Sequence, residues 1–261
     1  MNDETLSKRA ARAAYGWGRM RNWDDALALI ADAARAGEPG AERQLELVTQ
    51  APIAALLQPP SPDRLSEISR IGVARGFAPP GFGDYLIDRV SDRLVEAGVN
   101  DASGMGLRTA TTAAFGPQHR DLILAIMQIR AARMVGVKVE QHEPPNIISY
   151  QPGQQFNAHV DFIDPAVPQF QDELDRLGQR SATIVTYLND DFDGAETFFP
   201  DAGVKFRGGT GDALIWANVM PDGSPDYHSG HSALPPTRGR KWVLSQWIRT
   251  KPYPYPPETL A

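Results

Sequence analysis

A chain of 261 residues with 42% hydrophobic and 22% charged residues is long enough for one large domain, or for a mid-sized domain and a small one, and its composition excludes a disordered or fibrous protein. A net charge of −6 leaves no surplus of Lys and Arg for a nucleic-acid footprint, and the absence of cysteine removes disulfides, thiolate zinc sites and cysteine nucleophiles, so that His, Asp and Glu are the remaining metal ligands. The acidic start Met1-Asn2-Asp3-Glu4 carries no cleavable leader pattern and no apolar run approaches a membrane span; the expectation is a cytoplasmic protein with neither nucleic acid nor membrane as partner.

The stretch Thr5 to Leu57 is rich in Ala, Leu, Glu and Arg, and Ala26, Leu27, Leu29, Ile30, Ala33 and Ala34 recur at helical spacing behind a cap at Asn22-Trp23-Asp24-Asp25. Gly37 to Gly40 break this helix before a second pattern, Ala41 to Val48. The pair resembles one helical hairpin of the Sel1 or tetratricopeptide type. Arrays of that type need about three units, so a single one is expected to lean on the domain that follows, with recognition of a partner protein as its other role. Gln58-Pro59-Pro60-Ser61-Pro62-Asp63 then reads as a linker, separating a helical module at 1–60 from a second domain at 66–261. In that domain the patterning predicts a short strand over Ile68–Phe77 and helices over Gly83–Ala97 and Arg120–Val135. Strands are expected at Ile147–Tyr150, Ala182–Leu188, Ala213–Trp216 and Trp242–Trp247. Asp164–Gln179 reads as a loop that could close over a substrate. Helices followed by many short strands predict a barrel or sandwich.

The chemistry is concentrated around His159-Val160-Asp161. On a strand, residues two apart share a face, which sets an imidazole beside a carboxylate. His231 offers a third ligand; two His and one carboxylate on one face of a metal, with the other positions open, is the arrangement of non-haem iron(II) oxygenases. A lone His-x-Asp is weak evidence, and His228 competes with His231, although residues three apart on an extended chain face opposite ways. Ten residues past His231, Lys241 opens an apolar strand, Lys241-Trp242-Val243-Leu244. A buried ammonium there needs an anion, and the distal carboxylate of 2-oxoglutarate would supply one; the plainer alternative is a Lys turned outward on an edge strand. His119 and His142 have no partner pattern and read as surface or structural.

The motifs together resemble the prolyl 4-hydroxylases. Tyr150-Gln151-Pro152-Gly153-Gln154-Gln155-Phe156-Asn157-Ala158-His159-Val160-Asp161 is similar to that family's Tyr, Gly-Gln, aromatic, His-x-Asp signature. Gly194-Ala195-Glu196-Thr197 resembles its Gly-Gly-Glu-Thr hairpin, Gly211-Asp212-Ala213-Leu214-Ile215-Trp216 the next strand, and Gly239-Arg240-Lys241-Trp242 with Trp247 the closing segment. Arg108-Thr109 resembles a pair that precedes the family's second helix; the likeness runs from about Ile68 to Ile248 in order and leaves out the N-terminal helices.

The resemblance implies an α+β fold, a double-stranded β-helix (jelly-roll) core with flanking helices behind the small helical hairpin. It implies a dioxygenase using iron(II), 2-oxoglutarate and O2, with ascorbate as an accessory, that hydroxylates an unactivated C–H bond. His159, Asp161 and His231 would hold the iron, the ten-residue step to the Lys selecting His231 over His228. Lys241 would bind 2-oxoglutarate with help from Tyr150 and Thr197, and Arg180 and Trp247 would lie near the substrate; Tyr150 and Trp247 could equally be core aromatics. The implied substrate is a prolyl residue of a peptide or protein, with a free amino acid or other small molecule second. Phe156 stands where the family often has Tyr, which removes a hydroxyl near the metal and weakens the case for prolyl specificity. Two other readings compete: a catalytically silent β-helix serving as a partner-binding module, and a cupin-like metal enzyme that has no use for Lys241.

Overall fold

The computed structural model describes residues 4–97 and 108–254. They form two compact units, residues up to Pro59 with Phe115–Val139, and Pro60–Ala114 with Glu140–Tyr253.

The first unit is helical. Helix α1 (Leu6–Tyr15) begins where the Thr5 side chain accepts from the Lys8 N–H and ends at Gly16, whose φ of 79° suits a residue without Cβ. Helix α2 (Trp23–Arg35) is capped by Asn22, which accepts from the Asp25 N–H, and carries Asp24 and Asp25 at the positive end of its dipole. Helix α3 (Ala41–Thr49) follows, then a single turn, α4 (Ile53–Leu56), before the prolines. After α5 (Phe82–Asp88), which belongs to the second unit, helix α6 (Leu122–Val135) joins the first.

Residues Leu122 to Ala132 of α6 are all buried, and a helix apolar around its circumference must be enclosed by others. Helices α1 and α3 pack on it. Tyr15 donates to Gln128 Oε1 at 2.8 Å, the Leu122 N–H donates to Gln44 Oε1 at 3.2 Å, and Arg130 donates to the carbonyls of Leu56 and Gln58, each at 2.6 Å. The expected two-helix hairpin is therefore a larger assembly. Helix α1, which buries Ala10, Ala11, Ala13, Ala14 and Tyr15, adds a third helix to the expected pair. Residues 122–135, expected in the second domain, group with the N-terminal helices because those helices supply their enclosure.

The second unit is a double-stranded β-helix. Its eight-stranded antiparallel sheet runs β1 (Asp63–Ser66), β2 (Ile71–Ala74), β11 (Ala213–Ala217), β7 (Arg180–Tyr187), β14 (Lys241–Arg249), β5 (Asn146–Tyr150), β4 (Thr111–Ala114), β3 (Val95–Glu96). A four-stranded sheet runs β10 (Val204–Phe206), β9 (Thr197–Phe199), β12 (His231–Ala233), β6 (Phe156–His159), and β13 (Pro236–Arg238) pairs with β8 (Asp193–Gly194). One core joins the inner faces, with Val73, Ile148, Tyr187, Leu214, Trp216 and Val243 from the large sheet meeting Phe199 and Phe206 from the small one.

Three expectations are corrected. The strand over Ile68–Phe77 shrinks to Ile71–Ala74, since Ile68–Arg70 form a 3-10 turn in which Ser69 and Arg70 take φ of 53° and 46°. The helix over Gly83–Ala97 stops at Asp88; Val95 and Glu96 leave it to pair with Thr112 and Thr111, so sheet pairing prevails over helical propensity. The loop Asp164–Gln179 contains a 3-10 turn, Pro168–Phe170, and helix α7 (Gln171–Leu177); Pro168 and the acids Asp172 and Glu173 are helix-start signals. Its ends are joined by the Gln179 side chain, which accepts from the Ile163 N–H and donates to the Ile163 carbonyl, both at 2.7 Å. Among the described residues no helix is long and apolar enough to cross a membrane.

Candidate metal centre

Strands β6 and β12 are antiparallel neighbours in which His159 is the register partner of His231. This brings the two imidazoles to 4.3 Å between ring centroids, and Asp161 follows just past the end of β6. One ligating atom from each of the three residues lies within 4.8 Å of the others, with His159 Nε2 and His231 Nε2 each 3.8 Å from an Asp161 oxygen.

The donor set fits a divalent metal. The Nδ1 of His159 faces the Asn157 carbonyl at 2.8 Å and the Nδ1 of His231 faces the Ser229 carbonyl at 2.9 Å. A carbonyl can only accept, so both rings carry their proton on Nδ1 and present an Nε2 lone pair to the site. Burial and the neighbouring His231 hold the His159 pKa well below the usual imidazole range, which keeps that lone pair available. Burial alone would raise Asp161, but His231, His159, Arg180 and a hydrogen bond from Thr183 outweigh it and keep the carboxylate ionised. Phe156 stacks on His159 at 3.5 Å, and Trp216 and Phe199 pack on His231, which holds the rings in place.

A cavity opens from these ligands, lined by residues of both sheets. Strand alternation builds its wall. Lys241, Val243, Ser245 and Trp247 of β14 all face inward, as do Thr183 and Val185 of β7 and Ile148 and Tyr150 of β5. Lys241 is 1% exposed; its Nζ donates to the Ala195 carbonyl at 2.7 Å and lies 5.0 Å from the Tyr187 ring centroid. Burial pushes its pKa down to about 7, with Glu196 opposing. Among the described residues no carboxylate forms a salt bridge with it, so an ammonium held by one carbonyl and aromatic faces is presented to the cavity. Thr197 also lines this wall, and its Oγ1 lies 3.2 Å from the hydroxyl of Tyr187.

Residues 145–249 match the family model described as the 2OG-Fe(II) oxygenase superfamily. The chain is 31% identical over 122 residues to a putative prolyl 4-hydroxylase of Acanthamoeba polyphaga mimivirus, a match that covers 46% of this chain and 50% of that protein. A probable prolyl 4-hydroxylase 4 of Arabidopsis thaliana is 26% identical over 216 residues, 72% of this chain and 71% of its own. Among solved structures, a viral collagen prolyl hydroxylase from Paramecium Bursaria Chlorella virus-1 has the same fold, with a TM-score of 0.55 and 23% identity over 69% of this chain and 96% of that one. The chain spans half the length of the mimivirus protein and 32% of a prolyl 4-hydroxylase alpha-1 subunit from Rattus norvegicus, 30% identical over 172 residues.

The second unit brings His159, Asp161, His231, Lys241, Tyr150, Thr197 and Trp247 to one cavity. It treats Arg180 differently. Arg180 does not line that cavity; its Nε and one terminal nitrogen donate to the two oxygens of Glu143 at 2.7 and 3.0 Å, while the guanidinium lies 4.3 Å over the Trp247 ring. His228 lies on an exposed 3-10 turn with its Nδ1 2.8 Å from Asp201, apart from the ligand cluster. His142 is fully buried and bridges Ile248 in the sheet. Sequence reasoning missed Tyr187, whose hydroxyl contacts Thr197 and donates to the Phe206 carbonyl, and Thr183 beneath Asp161. The one available signal was that both share a face of β7 with Val185, alternating inward.

Proposed function

We propose that the protein is an iron(II)- and 2-oxoglutarate-dependent dioxygenase that hydroxylates an unactivated C–H bond, with a prolyl residue in a peptide or protein as its substrate. The observation that carries this reading is the coexistence in one cavity of a two-His, one-carboxylate cluster and a buried ammonium that has no carboxylate partner among the described residues. A metal enzyme that does not bind a dicarboxylate has no use for that ammonium. The prolyl assignment is supported by the names of the relatives from mimivirus and Arabidopsis thaliana.

Iron(II) with 2-oxoglutarate and O2 supplies the oxidising chemistry, one oxygen atom entering the substrate C–H bond and the other leaving in succinate as CO2 is released. His159 Nε2, His231 Nε2 and the Asp161 carboxylate would hold the metal on one face and leave the opposite face open. Lys241 would pair with the distal carboxylate of 2-oxoglutarate; because an ammonium is a point charge, the hydroxyls of Thr197 and Tyr150 would set the orientation of that carboxylate. Ile148, Val185 and Val243 line the wall between and exclude water. Trp247 would border the substrate, its ring backed by Arg180. Ascorbate would serve as an accessory reductant, and a cysteine-free chain suits a reducing compartment such as the cytoplasm.

The test is an anaerobic titration of the iron(II)-loaded protein with 2-oxoglutarate, followed by the visible charge-transfer band of a chelated keto acid. The band is expected in the wild type and absent in His159→Ala. A folded, metal-loaded wild type without the band would overturn the assignment.

A further inference from the structure

The oxygenase domain contains a second set of buried polar groups that touch neither the cavity's ammonium nor the two ligand imidazoles, and they converge on Asp161. Thr183 is 1% exposed and donates from Oγ1 to Asp161 Oδ2 at 2.7 Å; Asn218, fully buried, donates from Nδ2 to Thr183 Oγ1 at 2.9 Å. The direction of this chain is forced. An ionised carboxylate only accepts, so the single hydroxyl proton of Thr183 must point at Asp161, and Asn218 must then present its NH2 to the oxygen lone pair that remains. The order amide, hydroxyl, carboxylate is the one arrangement in which every contact has a donor.

Asn218 itself is fixed from both sides. Its N–H donates to the Ser181 carbonyl at 2.9 Å and its carbonyl accepts from the Asp226 N–H at 2.9 Å. The Asp226 carbonyl accepts in turn from the Ser229 N–H and hydroxyl, and the Ser229 carbonyl is the acceptor facing His231 Nδ1. The side chain of Asn218 thus leads to Asp161 and its main chain leads to His231, two of the three ligands.

We propose that Asn218 and Thr183 are positioning residues that fix the orientation of the Asp161 carboxylate toward the metal site, in the same frame that orients His231. The proposal rests on the metal-site reading above. A carboxylate released from this relay is free to rotate or to chelate through both oxygens, which loosens the site or closes one of the positions a bidentate keto acid needs. Hydrogen-bonded partners of metal ligands contribute about 10- to 100-fold in metal affinity, so the effect is measurable without turnover.

The experiment is equilibrium titration of the apoprotein with Co(II), read by its visible ligand-field bands, for the wild type, Thr183→Val, Thr183→Ser and Asn218→Ala, with thermal unfolding of each apoprotein alongside. Thr183→Val keeps the shape and removes the donor; it is expected to bind Co(II) about 10- to 100-fold more weakly with altered bands, at an apo melting temperature near wild type. Thr183→Ser restores the donor and is expected to restore both affinity and spectrum. Asn218→Ala, which keeps the main-chain bonds, is expected to fall between them, and it decides the matter if Thr183→Val does not fold. Equal affinity in Val, Ser and wild type, or an Asn218→Ala protein with unchanged affinity and bands, overturns the relay. A loss in Ser as large as in Val assigns Thr183 to packing and also overturns it. A wild type that does not bind Co(II) overturns the metal-site reading instead.

Discussion

Replacing Lys241 with Met should move stability and co-substrate binding in opposite directions. The methionine fills nearly the same volume and removes an ammonium that is 1% exposed and hydrogen-bonded to one carbonyl. Burial lowers the pKa of that ammonium from 10.5 to about 7. At pH 7 and below, this corresponds to an upper bound of about 5 kcal/mol of destabilisation of the folded apoprotein, since one pKa unit is worth about 1.4 kcal/mol. The loss of the bond to Ala195 offsets about 1 kcal/mol of the gain. The variant apoprotein is therefore expected to unfold at a higher urea concentration than wild type. Binding of 2-oxoglutarate should suffer, because removing one partner of a desolvated charge pair costs about 2–5 kcal/mol, a roughly 30- to 5,000-fold weaker complex. Urea unfolding of the apoprotein and anaerobic titration with 2-oxoglutarate measure the two effects separately. A variant that is less stable than wild type and binds 2-oxoglutarate within threefold of it would refute the reasoning, since Lys241 would then be a structural residue.

The same group predicts a pH dependence. The free protein holds Lys241 near pKa 7 and a bound dicarboxylate raises it, so binding takes up a proton above pH 7 and 2-oxoglutarate affinity should fall about tenfold per pH unit over pH 7–9; a flat profile would contradict this. Glu143→Ala removes the acceptor shared by Arg180 and the 1% exposed Arg249, which is left with Glu173 and the Gly178 carbonyl. Breaking such a buried pair should cost about 3–5 kcal/mol, read as a lower urea midpoint, and should disorder the Trp247 side of the cavity, read as a change in tryptophan fluorescence. Gly239→Ala should also destabilise, by more than 1 kcal/mol in urea unfolding, because Gly239 has φ of 74° and a Cβ there would collide with the Asp191 carbonyl just before the strand that carries Lys241.

Much of the candidate site was legible in the sequence because its determinants are local. His159 and Asp161 stand two residues apart, although β6 ends at His159 and Asp161 follows past the strand, and Lys241, Val243, Ser245 and Trp247 line one wall by strand alternation. Helices α2 and α3 could be read from Asn22, the Gly37–Gly40 break and the spacing of their apolar residues, since caps and a 3.6-residue period are also local. Tertiary structure decided the rest. The register that sets His231 opposite His159, the contact of Tyr187 with Thr197, the capture of Arg180 by Glu143 and the relay from Asn218 to Asp161 all join residues from separate elements. No periodicity encodes such pairs, because each depends on which strands become neighbours and with what register. The same holds for α6, whose apolar circumference announced burial without naming the helices that would cover it, and for Val95 and Glu96, which left a helical pattern for a strand partner. Local backbone geometry is written in the order of residues, whereas the choice of partner is settled when the sheets close around a shared core.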